Sequence, residues 1–148
     1  MSSEWLTAES FERNHRLISA INTLSIYTKL LRSGVSPMPD IGDVAAARVE
    51  IRMFLGRMGP LVQEAEADAN APMLGTDARL SLLVRQFATT RRQRPSSILH
   101  RTPIEQVSAL LDSERPAEQD RLIDYLRALR QLVEQHTHED VVGLLGEV

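Results

Sequence analysis

Residues 44–65, VAAARVEIRMFLGRMGPLVQEA, decide the fold. Their apolar positions Val44, Ala47, Ile51, Phe54, Met58, Leu61 and Ala65 alternate steps of three and four, the spacing that lays one face of an α-helix against a core. Three repeats of heptad type fit either a buried helix of a bundle or a short coiled-coil seam, and the bundle is the plainer reading. Pro60 interrupts the pattern. It has no amide hydrogen to donate and its ring clashes with the carbonyl four residues back, which predicts a kink or break near Gly59.

Helical stripes continue on both sides of this segment. From about Thr7, the residues Phe11, Ile18, Ile21, Leu24 and Leu31 recur at helical spacing, Leu17 and Leu30 widen the stripe, and Gly34 marks its stop. The stretch SGVSPMPDIGD at 33–43 is a connection, with Asp40 or Asp43 as the cap of the second helix. Thr76 caps a third helix with Asp77 in its first turn; its buried face is Leu80, Leu83, Val84 and Phe87, and Pro95 ends it. Thr102-Pro103-Ile104-Glu105 has the spelling of a capping box with proline at the first helical position, and opens a fourth helix bearing Ile104, Val107, Leu110 and Leu111. Pro116 opens a fifth, with Leu122, Ile123, Leu126, Leu129, Leu132 and Val133. Thr137, three residues before Asp140, caps a short sixth bearing Val141, Val142, Leu144 and Leu145. The expectation is an all-α single domain over residues 1–148, a helical bundle or a compact orthogonal array of five to six helices.

Composition agrees with that class. A chain of 148 residues is the usual size of one domain and buries a core without staples. Hydrophobic residues make up 43% and aromatic residues only 4%, so strand-favouring character is scarce. The absence of cysteine excludes a disulfide framework, thiol catalysis and every Cys-containing zinc site. No run approaches the ~18 apolar residues of a membrane span, and MSSEWLTAES has neither a basic n-region nor an apolar h-region, so a cytoplasmic protein with no membrane partner is expected. Lys29 is the one lysine among seventeen basic residues, a bias that GC-rich bacterial genomes produce. Trp5, with Leu6 and Phe11, reads as a staple for the first helix.

Catalytic constellations are missing. There is no glycine-rich phosphate loop, HExxH, GxSxG or calcium loop, so no catalytic residue, cofactor or metal is assigned and no enzyme is expected. His136 and His138, i and i+2, do not share a helix face, and read as a helix end rather than a metal pair. Asp120 and Asp124, like Glu64, Glu66 and Asp68, read as solvated faces.

Charge is strongly segregated. Residues 78–104 hold six arginines and no acid, whereas residues 35–77 hold three basic and seven acidic side chains and residues 105–148 four and ten. The basic stretch centres on Arg91-Arg92-Gln93-Arg94-Pro95-Ser96-Ser97. Its six arginines, Arg79, Arg85, Arg91, Arg92, Arg94 and Arg101, are the candidate partner or polyanion site. Three uses compete: a contact for nucleic acid, a docking surface for an acidic protein, or an internal element against the chain's own acidic segments. TPIEQVSALL followed by another helix has the outline of a helix-turn-helix, but Asp112, Glu114, Glu118 and Asp120 would then be set against phosphate. The expected function is therefore protein–protein interaction, as an adaptor, regulatory or structural subunit whose partner is another protein or a second copy. A nucleic-acid-binding regulator or ribonucleoprotein subunit using residues 79–101 is the alternative.

Overall fold

The stripes close on one another in a computed structural model, which describes residues 8–34, 40–68, 70 and 78–135. Six helices form among the described residues: α1 (Ala8–Ser33), α2 (Ile41–Ala67), α3 (Ala78–Gln93), α4 (Ile98–Arg101), α5 (Ile104–Leu110) and α6 (Pro116–Glu134). No strand occurs among the described residues.

Helix α2 is the central element. Asp40 caps it, its carboxylate accepting the Gly42 N–H at 2.7 Å. Val44, Ala47, Ile51, Phe54, Leu55, Met58, Val62 and Ala65 are buried. Val44 and Val62 lie eighteen residues apart, five turns of a straight helix, so the buried line drifts off the heptad seam. Leu61, expected in that seam, is only partly buried, and Leu55 and Val62 take its share of the core. Of the kink or break expected near Gly59, the break does not occur: α2 remains helical on both sides of Pro60. Pro60 stands on the exposed side, where the Gly56 carbonyl that loses its donor faces solvent rather than the core.

The other helices are registered against α2 and against one another. An ion pair of 3.6 Å joins Arg16 to Glu50, and Thr23 lies at the level of Asp43, so α1 runs antiparallel to α2 and buries Leu17, Ala20, Ile21 and Leu24 between them. Gly34 ends α1 as expected, at φ +69° with its N–H donating to the Leu30 carbonyl at 2.8 Å. Leu31, expected in the stripe, is exposed; Thr28 is buried in its place because its hydroxyl donates to the Leu24 carbonyl at 2.8 Å. Helix α6 is antiparallel to α1, with Arg32 on Asp120 at 2.9 Å and Arg130 donating to Asn22 at 3.1 Å. It buries Leu122, Leu126, Leu129, Leu132 and Val133 as its periodicity predicts, leaves Ile123, expected with them, only half-buried, and buries Tyr125 as well.

The segment between α3 and α6 departs furthest from expectation. Residues 98–101 form a short helix, α4, capped by the Ser97 side chain, which accepts the His100 N–H at 3.3 Å. The capping box does not form: Thr102 closes α4 with its N–H on Ile98, its hydroxyl is buried without a partner, and Pro103 holds the N-cap position of α5 with no side-chain bond. Helix α5 is instead secured at its other end. Arg48 donates to the Leu111 carbonyl at 3.0 Å, Arg52 to the Ser108 carbonyl at 3.3 Å, and both guanidiniums pair with Asp112. Cations thereby occupy the carbonyls that a helix C-terminus leaves open. The expected Trp5 staple, the side chain of Phe11 and the expected helix after Thr137 lie outside the described residues.

The cost of Pro60 is measurable. Pro60→Ala restores a backbone hydrogen bond in a helix that already continues through this position, and is expected to stabilise the protein by ~1–3 kcal/mol in urea unfolding. A loss of stability would mean that the proline ring itself supports the packing around it.

Candidate functional site

The arginine-rich stretch is not one surface. Arg91, its centre, is folded down against the protein: its side chain is 18% exposed and Nη1 lies 3.4 Å from the Glu66 carboxylate at the end of α2. Its backbone carbonyl accepts the His100 Nδ1–H at 2.8 Å, which ties the end of α3 to α4. Arg91 is thus a joint between three helices. Arg85 is half-buried and engaged within the fold. Arg79 lies in the first turn of α3, and its side chain is outside the described residues. Arg92, Arg94 and Arg101 remain, all exposed and without an ion pair among the described residues. They stand at the end of α3, in the turn after it and at the end of α4.

A second surface lies on α2. Ile41, Ala45, Val49, Met53, Gly56 and Pro60 are all exposed. At about 100° per residue they fall within an arc of about 120°, on the side of the helix away from the core. Ile41, Val49 and Met53 are 72%, 54% and 60% exposed, three of the five large apolar side chains that face solvent among the described residues. The one charged residue inside the arc, Arg52, is turned aside onto Ser108 and Asp112. Glu50, Arg57 and Glu64 border the arc along one edge. The spacing of four from Ile41 to Met53 was available in the sequence. It has meaning only once the opposite face is known to be the core, because a helix that is apolar on both sides is either enclosed or partnered.

The exposed stripe runs into a cleft of about 350 Å³ beside Pro60. Leu55 and Val62 of α2 and Ile104 of α5 give it apolar walls, while Arg52, Gln63, Arg91 and Glu105 stand at its rim. Gly59 keeps it deep, since a Cβ there would lie 3.9 Å from a methyl of Ile104. Ser108, the hydroxyl in the lining, is held by Arg52 at 3.2 Å and has no imidazole or carboxylate base against it in the cleft's own lining beyond Glu105. The shape suits an aliphatic side chain with polar groups around its neck.

Behind Arg91 lies Tyr125, fully buried, its hydroxyl without a hydrogen-bond partner among the described residues. Burial pushes its pKa well above the usual tyrosine value, and the Arg91 charge opposes that push. No group of three potential metal-binding side chains is found among the described residues, and none of their helices is long and apolar enough to cross a membrane. No family model, curated protein or solved structure matches the chain.

Because the fold holds Tyr125 neutral, the unfolded chain alone ionises as pH rises above about 10, and stability is expected to fall there. Tyr125→Phe removes that part of the fall. At neutral pH it leaves stability unchanged or raises it by ~1 kcal/mol, since the hydroxyl it deletes is unpaired. Urea unfolding at neutral pH and about one unit above the tyrosine value checks both arms. A large loss at neutral pH would show that the hydroxyl has a partner.

Proposed function

We propose that the protein is a non-catalytic helical interaction subunit, adaptor, regulatory or structural in kind, that binds another polypeptide through the outer face of α2. The observation that carries this reading is the alignment of Ile41, Val49 and Met53 along one exposed helix face with no free charge between them. Single exposed hydrophobics are ordinary, but a continuous row is what helix-to-helix and helix-in-groove docking uses. Enclosing such a side chain is worth ~1.5–3 kcal/mol. Glu50, Arg57 and Glu64 supply the polar rim that interfaces carry around an apolar centre.

The exposed Arg92, Arg94 and Arg101 add positive potential, which steers an acidic partner more than it holds one. Nucleic-acid binding loses support from the same geometry. Arg91 is committed to Glu66 and Arg85 is engaged within the fold, so of the stretch's described arginine side chains only Arg92, Arg94 and Arg101 are exposed, on a chain of net charge −3.

A photo-crosslinking amino acid placed at Met53 is expected to give covalent adducts with a polypeptide in cells that make the protein. The same group at Arg127, exposed on α6, is expected to give none. Absence of any adduct at Met53 would overturn the assignment.

A further inference from the structure

Resting on α2 as the docking face, we infer that its occupant is a second copy of this chain, laid antiparallel along α2, with Ile41 of each copy seated in the Pro60 cleft of the other. An interface between identical chains related by a two-fold axis must carry its own complement: the same patch supplies both knob and hole. This face does so. Ile41, the most exposed large apolar side chain among the described residues, stands at one end of the stripe, and the apolar-walled cleft opens at the other.

Their placement fits the symmetry. Ile41 and Gly59 are eighteen residues apart, so they share an azimuth and are separated by ~27 Å along the helix. A two-fold axis across α2 beside Arg52 brings Ile41 of one copy to the level of Gln63 in the lining of the other copy's cleft. Val49 then lies within a turn of Gly56 across the interface, and Met53 within a turn of its own counterpart. A parallel arrangement sets Ile41 against Ile41 and leaves both clefts unfilled.

Charge and size point the same way. In antiparallel helices each flank meets the same flank of its partner, so Arg57 comes within a turn of Glu50 in the other copy, twice by symmetry. Arg57 is exposed and has no ion pair among the described residues, and Glu50 is held only by Arg16 at 3.6 Å. Ala45 and Gly56 give the two axes room to approach to the 8–10 Å of packed helices, and nothing lies within 4 Å of a Cβ placed at Gly56. Two faces of this length bury on the order of 1,200 Å² in all, the lower edge of specific interfaces, which makes the dimer concentration-dependent.

The chain has no cysteine, so engineered ones are unique. Purified Met53→Cys is expected to join to itself with a short bis-maleimide. Ile41→Cys alone is expected not to, while a mixture of Ile41→Cys with Gln63→Cys gives the mixed pair. In sedimentation, the wild-type mass rises from 16.6 kDa toward twice that value with concentration. Ile41→Asp weakens the association at least tenfold with an unchanged circular-dichroism spectrum. Self-linking of Ile41→Cys overturns the antiparallel arrangement, and a monomer at hundreds of micromolar overturns the dimer. If that monomer still cross-links through Met53 to a different polypeptide in cells, the second copy is excluded and α2 stands as the docking face; without adducts, both assignments fall.

Discussion

Helix α2 carries apolar residues on two opposite faces, and among the described residues only one of them is enclosed. The inner face sets the positions of everything else. Val44, Ile51, Met58 and Val62 are almost wholly excluded from solvent, and α1, α3 and α5 each approach α2 at a level fixed by a polar contact: Glu50 to Arg16, Glu66 to Arg91, and Arg48 and Arg52 to the last turn of α5. These contacts are exposed or half-exposed, so their worth lies in register more than in energy. Apolar burial along the inner face supplies the stability, and the charges choose among the ways of packing it.

The outer face owes its shape to a local defect. Pro60 leaves a carbonyl without a donor, which a buried surface tolerates poorly and an exposed one tolerates well, so the proline and the outer face coincide. Two glycines precede it, one in the open stripe and one beneath the cleft. Helix α5 is only seven residues long and lacks a side-chain cap at its start, and its placement on Arg48 and Arg52 leaves the space beside Gly59 unfilled. A hydrophobic row and a hollow at its end arise from the same few residues.

Signals confined to a few neighbouring residues were legible in the sequence. The stop at Gly34, the cap at Asp40, the stripes of α3 and α6 and the start at Pro116 depend on local backbone chemistry, and each stands where it was expected. Signals that depend on a distant partner were not. Thr102 spells a capping box but closes the preceding helix, because the turn after Pro95 winds up as α4. Arg91 counts as a free charge in any tally by segment, yet its partner Glu66 sits twenty-five residues earlier on another helix. Half-burial of Arg85 and the exposure of Arg92, Arg94 and Arg101 depend on how α3 and α4 dock. The outer stripe of α2 was written in the spacing of Ile41, Ala45, Val49 and Met53, but a strong inner seam in the same helix masked it.

The division of labour we propose is between opposite faces of one helix, the inner for folding and the outer for association. Its most direct test is the unfolding free energy of a variant with Ile41→Gln, Val49→Gln and Met53→Gln together, measured in protein dilute enough to be monomeric. Substitutions on a face outside the core leave that free energy within ~0.5 kcal/mol per site of the parent. A loss of ~2–5 kcal/mol per site, the toll of removing buried apolar groups, would contradict the claim by placing these residues in the core.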